Sequence, residues 1–500
     1  MGPIVRQENL NTVATRSPRH GNIWLVLVIV GLAQFMVILD ATIVNVALPS
    51  IQHGLGFSTG TLQWVVNSYT LTFGGFLMLG GRAGDLFGRK RLFILGIVVF
   101  SAASLLNGLA GSAGVLVAGR ALQGLGGALV TPAALSVLTT TFAEGAERTR
   151  ALGVWSAVAV GGGAVGLLLG GVLTSALSWQ WIFFVNVPVG VGAIALALRY
   201  VPESRAQGVR GGVDFGGAFA ITAGLMVLVY AIINAQTAGW ASGTTFILAA
   251  IAVALLTAFV VLELRLRHPL IRLGIFRMRS IRGANIVMLL VAAGMFALFY
   301  FASIYVQEVL GYSPLTAGLA FLPVTAGIIA GAGLSQQLIK RLGVRAVGIA
   351  GMSIAAVGLV LLSRIPVHGT YAGDLLPGLL TMSFGMGLTF VPLTLIATTN
   401  VKAEDAGLAS GLLNTSQQLG GALGLAVLST LAANTTSTTL AAIAGTPSAG
   451  DRVSALVSGF HVAFLIGAFL FVAGAILMGA LVRRADVASI ETVASPALAA

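Results

Sequence analysis

The sequence predicts an all-α integral membrane protein with fourteen transmembrane helices: two six-helix bundles plus two extra central helices. Three observations predict it. Of the 500 residues, 57% are hydrophobic and only 8% charged, with a mean hydropathy of +0.99, whereas a soluble domain is about a quarter charged. Uncharged stretches recur at lengths suited to a bilayer, which about 20 apolar residues of helix span. The remaining charges collect in short loops.

Composition also excludes several functions. The 27 basic residues outnumber the 15 acidic ones, and the formal charge is +12. In a soluble chain that excess would point to nucleic acid, but short basic loops holding one side of a bilayer account for it, and no nucleic-acid partner is expected. There is no Cys, which rules out disulfides, thiolate chemistry and Cys-ligated metals. The five His residues, at 20, 53, 268, 368 and 461, are scattered, so no metal or cofactor is expected. The polar N-terminus lacks a separate cleavable apolar core, and Arg6 stands where a myristoylation signal needs Ser or Thr. It reads as a cytoplasmic tail.

Dividing the uncharged stretches by span length places helices at 22–48, 61–81, 91–110, 113–138, 150–176, 180–199, 214–234, 244–263, 283–306, 315–338, 344–363, 373–397, 407–431 and 459–482. Residues 151–198 carry no charge yet are too long for one helix, so Ser178-Trp179-Gln180 is the turn. The stretch 215–262 breaks in the same way between Ala235 and Gly243. With the N-terminus inside, Arg364 and Arg452 fall outside and Arg120 within a span, leaving 24 of the 27 basic residues on the cytoplasmic side. A plasma-membrane protein with both termini cytoplasmic is expected.

Fourteen spans are twelve plus two, and the basic loops at 199–210 and 265–282 bracket the extra pair. The expected organisation is a tail at 1–21, an N-terminal bundle at 22–200, a linker with spans seven and eight at 201–282, a C-terminal bundle at 283–482 and a tail at 483–500.

In span one, Asp40 follows 16 uncharged residues from Trp24 to Leu39 and precedes Pro49. A carboxylate there costs several kcal/mol by insertion scales unless it faces a cavity or finds a partner. The turn Gly81–Arg91 reads GRAGDLFGRKR: Gly81, Gly84 and Gly88 let two helices join tightly, Asp85 suits a helix cap, and Arg89, Lys90 and Arg91 stay in cytoplasmic water. Arg120 is the one basic residue inside a span. At a rise of about 1.5 Å per residue it lies roughly 10 Å below the outer end of span four, and Asp40 roughly 13 Å below that of span one. Similar depth makes them partners for proton coupling, with a static buried ion pair as the plainer alternative.

Span five carries a glycine frame that includes Gly162, Gly166, Gly170 and Gly171, suited to close packing and bending. Near span six, WIFFVNVP at 181–188 places Asn186 and Pro188 where they loosen the helix. Glu308 joins the proton-coupling candidates, although it and Asp374, near outer ends of spans nine and twelve, have a simpler role as interfacial acids. Gly333, Gln337, Lys340, Arg341 and Gly343 echo the first basic turn between spans ten and eleven, as internal repeats of transporters do. Gln34, Asn45, Asn67, Tyr69, Gln123, Asn414, Gln417 and Gln418 are candidates for lining a cavity.

No Lys follows Gly, so the phosphate-binding G-x-x-x-x-G-K-[ST] loop is absent. GFSTG at 56–60 matches a serine-hydrolase elbow only formally, since no strand precedes it. No enzyme is expected.

On these residues the chain resembles the fourteen-span drug:proton antiporter branch of the major facilitator superfamily. Four segments carry the resemblance: LDATIVNVALPSI at 39–51, GRAGDLFGRKR at 81–91, AGRALQGLGGAL at 118–129 and WQWIFFVNVPVG at 179–190. The resemblance implies proton coupling at Asp40 and Arg120, and a charge lock of Asp85 with Arg89 that governs switching between two access states. One departure stands out: the branch's span-five motif ends G-P-x-x-G-G, whereas this chain has Leu167 after Gly166, and Gln180 stands where Arg is usual. The expected function is export of hydrophobic or amphipathic small molecules in exchange for protons, by a monomer that uses alternating access. A dedicated metabolite exporter, a proton-coupled permease and a passive channel are the alternatives.

Overall fold

The computed structural model describes residues 23–58, 60–142, 145–205, 214–266, 269–398, 401, 406–443 and 446–483, and among them every regular element is a helix. The tails expected at 1–21 and 483–500 lie outside the described residues, apart from Arg483. The first seven helices are α1 (Ile23–Leu55), α2 (Trp64–Phe87), α3 (Arg89–Gly108), α4 (Ala113–Thr141), α5 (Ala146–Ala176), α6 (Trp181–Phe184) and α7 (Asn186–Tyr200). There follow α8 (Phe215–Ala238), α9 (Gly243–Arg265), α10 (Arg279–Ile304), α11 (Pro314–Ala320), α12 (Leu322–Leu342), α13 (Val344–Leu362), α14 (Leu376–Thr398), α15 (Ala406–Ala441) and α16 (Ala449–Leu481).

Twelve helices among the described residues are long and apolar enough to cross a membrane, counting the broken runs α6–α7 and α11–α12 as one each. Of the two remaining long helices, the 24-residue α2 is diluted by Asn67, Ser68, Tyr69, Thr70 and Thr72, and α5 contributes the shorter apolar segment Gly161–Ala176 among the described residues.

The molecule is apolar on both sides of each helix. Phe219, Phe246, Ile247, Val253, Leu264, Phe469 and Ile476 are exposed, while Asp40, Gln63, Asn67, Arg120, Gln123 and Asn186 are buried. Large exposed apolar area marks a surface for lipid, and polar groups turned inward find partners there. Helices α1–α7 pack on one another, as α3 and α2 do on α4 and α1 does on α5; α10–α16 do the same, with α13 on α14 and α10 on α15 and α16. The two groups meet along α2 and α15, α5 and α11, and α1 and α10. The hairpin α8–α9 is peripheral: α8 lies on both α2 and α15, and α9 packs on α8.

The basic turn differs in detail from its sequence expectation. The α3 helix begins at Arg89 behind Gly88 with no side-chain cap, and Asp85 sits inside α2. Tight packing of α2 on α4 belongs to Gly80, where a side chain would run into the Ala128 backbone; Gly81 and Gly84 have only ordinary neighbours, Pro132 Cβ and Leu92 Cδ2. Gly88 makes the turn itself, with φ at +113°, and Gly343 makes the corresponding turn between α12 and α13 with φ at +84°. L residues rarely adopt such backbone.

Candidate functional site

Asp40 and Arg120 meet in the interior. Arg120 Nη1 donates to Asp40 Oδ2 at 2.6 Å, and the two residues are 1% and 0% exposed in that order. A buried pair is worth keeping only where geometry and further hydrogen bonds offset desolvation. Both conditions are met. Arg120 Nε donates to the Val65 carbonyl at 3.0 Å, its Nη1 also donates to Gln123 Oε1 at 2.8 Å, and its guanidinium lies 4.2 Å from the centre of the Tyr69 ring. Asp40 Oδ1 accepts from Gln123 Nε2 at 2.7 Å and from Asn186 Nδ2 at 3.0 Å.

The network extends beyond the residues singled out from sequence. Asn107 Nδ2 donates to Gln123 Oε1 at 2.8 Å. Ser104 Oγ accepts from Gln123 Nε2 at 3.2 Å and from Asn186 Nδ2 at 3.1 Å, and donates to the Phe183 carbonyl at 2.9 Å. Helices α1, α3, α4 and α7 therefore converge on one carboxylate. Asn186 is placed by the interruption between α6 and α7, where Pro188 has no N–H to give the Phe184 carbonyl.

Beside this network lies a cavity of about 160 Å³ between the two helix groups, lined by Thr42, Asn45, Tyr69 and Arg120 from one side and by Phe296, Phe299, Tyr300 and Gln418 from the other. Leu167, in the position of the branch's proline, also lines it. The Tyr69 and Tyr300 hydroxyls have no hydrogen-bond partner. The wall is thus largely apolar and aromatic, with a few unspent polar groups, which is the usual make-up of a small-molecule pocket.

Other candidates lie elsewhere. Glu308 does not join Asp40: a π-turn at Tyr305–Val309 ends the run begun by α10, and Glu308 Oε1 there pairs with His53 Nε2 at 3.1 Å, with side chains 33% and 73% exposed. Asn67 takes Gln63 as partner at 3.3 Å, the Gln34 carbonyl oxygen is buried without one, Gln417 is half-buried and Asn414 is exposed. Gly162, Gly166 and Gly170 face α1, the last two against Leu39 and Ile43 backbone, and Gly171 faces Pro314 of α11. In the basic turn, Arg89 Nη2 lies 2.9 Å from Asp85 Oδ1, Arg91 pairs with Glu203 at 3.6 Å, and Lys90 Nζ donates to the Leu198 carbonyl at 2.8 Å.

Hydrogen bonds between the two helix groups cluster at the end of the bundle that holds His53. Ser303 Oγ donates to the Asn45 carbonyl at 2.6 Å, Gln307 Nε2 to the Val46 carbonyl at 2.9 Å, and Leu315 N to Ser175 Oγ at 3.0 Å.

Comparison with known proteins places this geometry. The Major Facilitator Superfamily profile matches residues 30–425. The puromycin resistance protein of Streptomyces alboniger is 40% identical over 94% of this chain and 93% of its own length. The cephamycin export protein of Amycolatopsis lactamdurans is 42% identical over 82% and 85%, and the tetracenomycin C resistance and export protein of Streptomyces glaucescens 35% over 83% and 77%. Among solved structures, an inward-facing bacterial homologue of the human lysosomal transporter Spinster aligns with a TM-score of 0.63 at 17% identity, covering 94% of this chain and 98% of its own. That likeness is one of fold.

Proposed function

From the premise that this chain belongs to the major facilitator superfamily, a family of transporters, we propose that it exports hydrophobic or amphipathic small molecules of the antibiotic class in exchange for protons, by alternating access. The observation that carries this reading is the buried Asp40–Arg120 pair at 2.6 Å, one side chain away from an aromatic cavity between the two helix groups. A carboxylate in that place can take up and release a proton, and the cavity wall suits a substrate with an apolar body and a few polar groups. The export and resistance roles named for three similar proteins support the direction.

In this reading the chain has fourteen spans, with α2 and α5 completing the count, and works as a monomer in the plasma membrane. The end with Gly88 and the basic turns is cytoplasmic, as are both termini. Cross-links at the His53 end then describe a state closed to the outside. The Asp85–Arg89 pair acts at the cytoplasmic side.

The test uses purified protein in liposomes with an imposed proton gradient, following proton release on addition of lipophilic cations and neutral antibiotics. Substrate-triggered proton movement that disappears in Asp40→Asn is expected. Full transport by both Asp40→Asn and Arg120→Ala would overturn the reading. Three similar proteins are each named for one antibiotic, which favours a dedicated exporter as the second reading; response to a single compound in the panel would select it.

A further inference from the structure

We propose that the side-chain amide of Asn186 is a proton-linked switch: it donates to Asp40 while that carboxyl is ionised and turns over to accept from it once protonated, and Ser104 carries the change to the α6–α7 junction. The inference rests on proton exchange at Asp40 and adds the residue that reports it to the fold.

An ionised carboxylate only accepts, and a protonated one must also donate. Every side chain bonded to Asp40 presents N–H: Arg120 Nη1 to Oδ2, and Gln123 Nε2 and Asn186 Nδ2 to Oδ1. The arrangement is made for the ionised form. Adding a proton to Oδ1 puts an O–H against two N–H groups, so one neighbour has to offer an acceptor or leave a buried donor unpaired, which costs about 1–3 kcal/mol.

Arg120 has no acceptor to offer. Gln123 is locked by its other end: Oε1 accepts from both Arg120 Nη1 and Asn107 Nδ2 at 2.8 Å, and reversing the amide would set its N–H₂ against the guanidinium. Asn186 carries no such constraint. Its Nδ2 bonds only Asp40 Oδ1 and Ser104 Oγ, and a half-turn about its terminal bond brings Oδ1 to the same two atoms while turning the N–H₂ away from both, into the place Oδ1 leaves. The new Asp40 O–H then donates to Asn186 Oδ1. The Ser104 hydroxyl, which now donates to the Phe183 carbonyl, turns to the same oxygen and frees that carbonyl.

No heavy-atom bond forms or breaks; one proton moves from water to Asp40 Oδ1 and returns. The ionisable or charged neighbours are Arg120 from α4 and Tyr69 from α2, and none comes from α3, α5 or α7 among the described residues there. From Asn186, α7 runs as one rod to Tyr200, where the Leu198 carbonyl holds Lys90 Nζ and Glu203 holds the Lys90 N–H and Arg91. Release of the Phe183 carbonyl loosens the start of the rod that braces the basic turn.

The experiment is isotope-edited infrared difference spectroscopy, acid minus alkaline, on the full-length protein carrying ¹³C-labelled asparagine. The expected result is an acid carbonyl band, absent in Asp40→Asn, that rises with the same midpoint as an amide carbonyl shift absent in Asn186→Leu. An Asp40 band that titrates with no Asn186 shift overturns the inference and leaves proton exchange standing. An Asp40 band that never appears overturns both.

Transport gives a second readout. Asn186→Ser keeps a group able to donate or accept and should retain proton-driven efflux, whereas Asn186→Leu should lower it at least about tenfold, the factor for 1.4 kcal/mol. Substrate affinity should change by less than about threefold, since Asn186 does not line the cavity. Equal efflux in the two variants would overturn the switch.

Discussion

His53 of α1 and Glu308 at the end of the α10 run meet at 3.1 Å, in contact across the two helix groups although 255 residues separate them in sequence. The pair closes the same end as the Ser303–Asn45 and Gln307–Val46 bonds. It is exposed, so it contributes at most about 1 kcal/mol. Glu308→Gln should therefore shift the balance toward opening at that end by no more than about fivefold. The absence of native Cys makes the check direct: maleimide labelling of Thr42→Cys, in the cavity wall, from the His53 side should speed up. Unchanged labelling would show that the backbone-directed bonds alone hold the gate.

Arg120 should be far less replaceable. Removing one member of a buried pair leaves the other uncompensated and costs about 3–5 kcal/mol. Arg120→Ala is expected to lower stability in detergent by that order, and Arg120→Lys to fall well short of rescue because one ammonium cannot reach Val65, Asp40 and Gln123 together while stacking on Tyr69. The double variant Asp40→Asn/Arg120→Leu should recover part of the loss. Thermal unfolding of the three variants measures the difference.

Gly80, and not Gly81 or Gly84, should be the sensitive glycine of α2. A methyl at Gly80 meets the Ala128 backbone, and overpacking of that kind costs about 1–3 kcal/mol. At Gly81 and Gly84 the nearest atoms stand 3.7 and 3.6 Å away, so alanine there should be neutral or mildly stabilising in a helix. Folded yield and melting temperature of the three alanine variants decide it.

Leu167 should govern which substrates are accepted. It lines the cavity together with Phe296 and Phe299, so Leu167→Phe should raise KM for bulky compounds and leave small ones little affected. Expression and melting temperature should stay near the parent value. A uniform loss for all sizes would place Leu167 in helix packing instead.

Helix positions were legible in the sequence because each span must satisfy its own backbone hydrogen bonds in lipid, which makes length and charge-free runs a local signal. The turns at Gly88 and Gly343 were legible for a similar reason, since the backbone there needs glycine within a few residues of the helix ends. Similar depth from two span ends was enough to pair Asp40 with Arg120.

The remaining partners depend on how each helix is rotated about its axis. In this chain the lipid-facing and core-facing sides are both apolar, as exposed Phe469 and buried Phe471 on α16 illustrate, so periodicity does not report rotation. Asn186 is 146 residues from Asp40, Ser104 is 79 from Phe183 and Glu308 is 255 from His53, and nothing local marks those meetings. Charge-free runs were sufficient to place the chain in a membrane, to locate its helices and to single out Asp40 as a buried carboxylate, whereas the burial of Glu263 went unmarked. The donors around the Asp40 carboxylate and the glycines that bear the close contacts came from the three-dimensional packing, because hydrogen bonds and side-chain contacts are set within a few ångströms, a scale that helix rotation and crossing control.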